Sequence, residues 1–145
     1  MLRNMKTFAK TGSLQDSIVS LHGEPCTVFR SVDPVRMQGY ENRIEYNQRS
    51  SKVYIDFHVK RRWFYHFNWF PENEDRISMG YFSLGEDLAQ DDYIRTKTIE
   101  HVSPYGDLLF KVVKIGDDGR YYTLRRIAFL YAIDDSTLYE TLKVL

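Results

Sequence analysis

The side chains of this chain that can do chemistry are few and spread out. The four histidines are His22, His58, His66 and His101. His58 and His66 flank the basic triplet Lys60-Arg61-Arg62. Were that triplet the tight turn of a hairpin, the two imidazoles would approach across the strand pair with Asp56 nearby, a conceivable metal trio. No His/Cys set has ligand spacing, and the polar face of a strand accounts for the same residues, so no metal is expected. The acidic doublets Asp91-Asp92, Asp117-Asp118 and Asp134-Asp135 could supply paired carboxylates for acid/base work. Each sits where a turn or helix cap calls for Asp. Serine elbows, phosphate-cradling glycine loops and Cys-His pairings are missing. Neither a catalytic residue nor a cofactor is expected, and the chain does not read as an enzyme.

The cations carry a stronger signal. Lys60, Arg61 and Arg62 stand directly before Trp63-Phe64-Tyr65-His66-Phe67-Asn68-Trp69-Phe70, and Arg36, Arg43 and Arg49 fall in a polar stretch upstream. A basic groove beside exposed rings is the usual recipe for holding single-stranded nucleic acid. Against it, Lys plus Arg and Asp plus Glu are equal at 20 each. No global field attracts a polyanion, and such binding needs a local patch.

The elements that must position these residues follow from composition and pattern. A chain of 145 residues, 43% hydrophobic and 28% charged, is of a size and make-up to fold as one soluble domain, 1–145. The aromatic share of 15%, with eleven Tyr and nine Phe, favours β-structure. A single cysteine, Cys26, precludes an internal disulfide and suits a reducing compartment. No apolar run approaches the ~20 residues of a membrane span. Met1 to Lys10 has no signal-peptide core, so a soluble protein made in the cytoplasm, without a membrane partner, is expected.

The octet Trp63 to Phe70 carries six large rings, more than any other stretch of its length. At the two-residue period of a strand it places Trp63, Tyr65, Phe67 and Trp69 on one face, which predicts a central strand. The basic triplet then reads as the turn of a hairpin with Lys52 to Val59. Residues 1–12 read as an N-terminal arm. Ser13 with Asp16, and Leu14, Ile18 and Leu21 at helical spacing, predict a short helix from Leu14 to His22 that ends at Gly23 and Pro25. Cys26 to Val32 alternates as a strand. Residues 33–51 read as a long exposed loop, and 52–133 as the barrel core. Within it, Arg76 to Leu84 is a strand in which Gly80 marks a bulge or a close backbone approach. Tyr93 to Ile99, Asp107 to Ile115 and Arg120 to Ile133 complete the set, with Gly116-Asp117-Asp118-Gly119 as a hairpin turn. Asp135-Ser136 caps a short C-terminal helical tail through Leu138, Leu142 and Leu145. Strands in succession without helices between them predict a mainly β fold: a small antiparallel β-barrel or sandwich.

The order of these parts resembles a known family. Trp63 to Asp75, Ile77 to Leu84, Asp91-Asp92-Tyr93-Ile94 and Tyr105-Gly106-Asp107-Leu108-Leu109-Phe110-Lys111-Val112-Val113-Lys114-Ile115 resemble the β-barrel neck proteins of tailed bacteriophages. These are the head-completion or stopper proteins of the head-to-tail connector. The likeness spans Trp63 to Ile133, and baseplate and tail-terminator barrels are similar to nearly the same degree. The resemblance implies a structural virion protein, assembled as a homo-oligomeric ring that joins portal to tail beside other neck, portal or tail proteins. It also implies non-specific contact with packaged DNA. Arg36, Arg43, Arg49, Lys60, Arg61 and Arg62 are then the expected channel or partner contacts. Leu138, Leu142 and Leu145 form the expected assembly tail. A small-barrel module for single-stranded nucleic acid is the alternative.

Overall fold

The computed structural model describes residues 16–32, 45–83, 85–96, 108–116 and 126–143. Its strands are β1 (Glu24–Ser31), β2 (Tyr46–Asp56), β3 (Ile77–Phe82), β4 (Tyr93–Thr96), β5 (Leu108–Gly116) and β6 (Arg126–Ala132). All pairings are antiparallel, and the order β1-β2-β3-β6-β5-β4 closes on itself as a barrel. Closure removes free sheet edges. The helices are α1 (residues 16–22), α2 (Arg61–His66) and α3 (Ser136–Lys143). The mainly β barrel with short helices at both ends of the chain is thus as the strand pattern predicts. Its boundaries differ in two respects: β1 belongs to the barrel, and Tyr46 to Ser51 lie in β2 rather than in a loop. The arm 1–12, the remainder of the loop at 33–44, the turn 117–119, His101 and Leu145 lie outside the described residues.

Strand periodicity sorts the side chains into an inner core and two outer ones. Val28, Val53, Phe82, Ile94, Phe110, Val112, Ala128 and Leu130 fill the barrel. On the outside of β3 and β6, Ile77, Met79, Ile127 and Phe129 form a second core. Outside β1 and β5, Phe29 and Leu109 form a third with Leu142 of α3. β6 is therefore buried on both faces, which is why Ile127 to Ile133 is almost unbroken apolar sequence. In β5 the register shifts between Val112 and Lys114. This bulge flips the alternation, so Val112 points in, Val113 joins the outer cluster and Ile115 returns to the barrel core.

Gly80 makes the expected close approach. It faces Ile55 on one side and Ala128 on the other. A Cβ there would come within 2.9 Å of Leu130 Cδ1 and 3.1 Å of Val53 Cγ2.

The octet is not a strand. β2 ends at Asp56, whose Oδ1 accepts a hydrogen bond from the His58 N–H at 3.0 Å and turns the chain away from the sheet. Lys60, Arg61 and Arg62 are then the N-cap and first residues of α2 rather than a hairpin turn. Over so short a helix the rings do not scatter. Trp63, Phe64 and Phe67 fall within about 100° of arc at 100° per residue, while Arg61, Arg62, Tyr65 and His66 take the opposite side. Phe64 is buried, and Trp63, Phe67 and Trp69 pack half-buried on the outer cluster of β3 and β6. The Phe129 ring meets Phe64, Phe67 and Trp69 with centroids 5.8, 5.6 and 4.9 Å away. Asn68 ends the helix at φ 50°. Its N–H bonds to the Tyr65 carbonyl at 3.2 Å, and the Trp69 N–H reaches back to the Phe64 carbonyl at 3.0 Å. These two bonds, with the Phe64 and Trp69 rings 6.1 Å apart, make a Schellman cap with its apolar contact.

α1 departs from its sequence pattern. Val19 is buried, whereas Ile18 and Leu21, expected on the inward stripe, are exposed. Only Gly23 separates this helix from β1, and the Gly23 N–H bonds to the Val19 carbonyl at 2.9 Å. The short junction sets which face turns inward. α3 behaves as predicted at its start: Asp135 Oδ1 accepts the N–H groups of Thr137 at 2.9 Å and Leu138 at 3.4 Å.

Candidate partner-binding surface

The cations fall into two separate groups. Arg49 lies near the start of β2 and the basic triplet beyond its end, so at about 3.3 Å per strand residue the two are on the order of 20 Å apart or more. Arg49 is engaged within the chain. Its guanidinium pairs with Glu86 at 2.8 Å and also donates to the Asp87 carbonyl. Arg30 beside it grips Asp92 through two bonds, Nε to Oδ1 and NH2 to Oδ2, each 3.0 Å. The hydrogen bond to Asp92 raises the Arg30 pKa above its usual value, and burial opposes it. The loop from Gly85 to Asp92 is thereby tied across one barrel end, with Leu88 inserted into the core. Arg49 therefore holds a structural ion pair while keeping 34% of its side-chain surface. Arg36 and Arg43 lie outside the described residues.

The expected assembly tail is also occupied. Leu142 is fully buried against Phe29 and Leu109, and Leu138 packs beside it. Arg95 donates to the Leu142 carbonyl at 2.8 Å, which holds the last turn of α3 down. Leu142 thus stabilises the chain's own barrel, and Leu138 is half-buried beside it.

The triplet, by contrast, is presented to solvent. Lys60 precedes α2 in extended conformation with no side-chain cap, and the first turn holds no acidic residue. Arg61 pairs with Glu74, Nε to Oε2 at 3.3 Å. Arg62 lies over the Trp63 ring at 5.7 Å, a cation–π contact. On the same side Tyr65 and Phe70 are 67% and 54% exposed, and their rings meet edge to face at 5.1 Å. Arg61 and Arg62 thus share the outward side of α2 with two open rings, and the exposed Lys60 precedes them. The strand reading hid this, because it assigned Tyr65 to a core face. The helical period was the signal that separates Tyr65 from Phe64 and Phe67.

A cleft of about 490 Å³ opens over β1, lined by Cys26, Thr27, Ser50, Ser51, Arg95 and Thr96 among others. Burial pushes the Cys26 thiol up to about 12, so it holds its proton at neutral pH and is a poor nucleophile. Among the described residues no three His, Cys, Asp or Glu side chains cluster as metal ligands. No described helix is long and apolar enough to cross a membrane.

No protein-family model matches this chain, and no curated protein matches it.

Proposed function

We propose that this chain is a non-catalytic structural protein of a tailed-phage virion, a ring-forming component of the head-to-tail connector. The reading is carried by the barrel itself. β3, the Asp92-Tyr93-Ile94 entry to β4 and the long β5 follow one another in the order the resemblance requires, and the three strands lie in one closed antiparallel sheet. Trp63 to Phe70 no longer contributes to that likeness, because the segment is a helix and a cap. Closed barrels suit ring proteins: they are rigid, have no edges to aggregate, and leave loops and surface helices to meet neighbours. The exposed cations Lys60, Arg61 and Arg62 remain candidates for DNA or partner contact.

Electron microscopy of the purified protein tests this reading. Rings with a central channel, alone or on addition of portal or tail-tube rings, are the expected result. Particles that stay monomeric under both conditions would overturn it.

A second reading, a module for single-stranded nucleic acid, is favoured by the exposed Tyr65 and Phe70 rings beside the triplet. It predicts strong, salt-dependent binding by the isolated monomer. Glu74, within 3.3 Å of Arg61, weighs against it by placing negative charge inside the cation group.

A further inference from the structure

We propose that the outward face of α2, with the acidic turn beside it, is a two-fold contact between two copies of this chain. The inference does not rest on the neck reading.

Local preferences make the sequence of α2 costly for a lone chain. Three cations crowd the positive end of a helix dipole, with no acid in the first turn and no side-chain cap. A helix of six residues does not stand alone in water. It is held by Trp63, Phe64, Phe67 and Trp69, which face the barrel. Lys60, Tyr65 and Phe70 take no part in that packing. Tyr65 and Phe70 leave a two-ring apolar spot in solvent, bordered by arginines. Tyr, Phe, Trp and Arg are the residues that concentrate in the centres of protein interfaces.

The charges identify the occupant. The Arg61–Glu74 pair holds the acidic turn, with exposed Glu72 and Asp75 on either side of Glu74 in sequence, alongside the basic start of α2. Nucleic acid or an anionic membrane would meet those carboxylates. A second copy rotated by two-fold symmetry meets them favourably, with its Lys60 and Arg62 set against Glu72 and Asp75 of the first copy and the reverse on the other side. A surface that carries both signs around a shared apolar centre is self-complementary in this sense. Among the described residues Lys60, Arg62, Glu72 and Asp75 enter no ion pair. The chain's zero net charge adds no general repulsion between copies.

Sedimentation velocity over a concentration series reaching about 1 mM tests the proposal. A reversible dimer is expected, weakened by about tenfold or more in Tyr65→Ser/Phe70→Ser. Lys60→Glu/Arg62→Glu and Glu72→Lys/Asp75→Lys should each be monomeric alone and form a mixed dimer when combined. As a readout independent of those variants, Tyr65→Cys should oxidise rapidly to a covalent dimer, whereas Leu21→Cys, exposed on α1, should not. Circular dichroism melts confirm that each variant is folded. A chain monomeric throughout, a dimer indifferent to these changes, or a dependent oligomer larger than two would overturn the proposal. So would binding of oligothymidylate that the double ring variant abolishes. A chain monomeric alone that forms rings once portal or tail-tube rings are added would refute the two-fold contact and leave the neck reading standing, whereas a reversible dimer that forms no ring under either condition would do the opposite.

Discussion

Arg30 and Asp92, 62 positions apart, are joined by two parallel hydrogen bonds of 3.0 Å, and the carboxylate lies beneath the guanidinium with its side chain only 2% exposed. Asp92 Oδ2 also accepts the Ala89 N–H at 3.0 Å. The pair fastens the loop that closes one barrel end to β1, and it is unequal in burial: Arg30 keeps 36% of its side-chain surface.

That inequality sets the first prediction. Removing the cation strands a buried carboxylate, whereas neutralising the acid leaves a cation that can reach water. Arg30→Ala should cost about 3–5 kcal/mol and Asp92→Asn about 1–3 kcal/mol. Urea denaturation at neutral pH measures both. The reverse ranking would show that the guanidinium, not the carboxylate, is the group whose desolvation is being offset.

The α2 cap gives the second. Asn68 holds φ 50°, a conformation that Asn tolerates and glycine adopts freely, whereas a β-branched residue resists it. Asn68→Gly should be within about 0.5 kcal/mol of the parent, and Asn68→Val should lose about 1–3 kcal/mol. Equal melting temperatures for the two variants would mean that the Schellman turn is not what ends α2.

Gly80 supplies the third. Its substitution by alanine drives a Cβ against Leu130 and Val53 and should destabilise by about 1–3 kcal/mol. Leu130→Val removes the nearer obstacle, Cδ1. The double variant should then fall short of the sum of the two single losses, a coupling that a double-mutant cycle reads directly.

Leu142 is the fourth. It is fully buried between Phe29 and Leu109, so Leu142→Ala should cost about 2–5 kcal/mol. Amide exchange should quicken in α3 ahead of the barrel strands. Uniform exchange across both would show that α3 opens only with global unfolding.

Cys26 gives the last, a pH dependence. Burial, with Glu86 adding to it, raises the thiol from 9.0 to about 12. The folded chain therefore holds a proton that the unfolded chain releases above about pH 9. Stability from this group is complete below that value and declines as pH rises toward about 12, by up to about 1.4 kcal/mol per pH unit. Urea midpoints followed into the alkaline range should fall more steeply for the parent than for Cys26→Ala. Native Cys26 should also resist alkylation at neutral pH and react once the chain is unfolded.

Much of the barrel is legible in local sequence patterns. The alternation of β1 and of Lys52 to Asp56 in β2, the strand around Gly80, the Asp-led entry to β4 and the apolar β5 and β6 are local patterns, and each settled in the predicted element. The Asp135 cap was legible for the same reason, since a cap is made by residues adjacent in the chain. Trp63 to Phe70 was misread because a run of large rings satisfies a period of two as readily as one of 3.6. What decided it were the turn at Asp56, Asn68 in the left-handed region, and an outer face of β3 and β6 that needed covering.

That the chain buries alternating faces of short antiparallel strands follows from its residues alone, because side-chain period and turn chemistry are local properties. Which cations face outward follows instead from packing between distant segments. Arg49 is matched by an acid 37 positions away, and Lys60, Arg61 and Arg62 face outward because the rings behind them close over Phe129. Such pairings depend on strand register and barrel closure, which no local window of sequence contains.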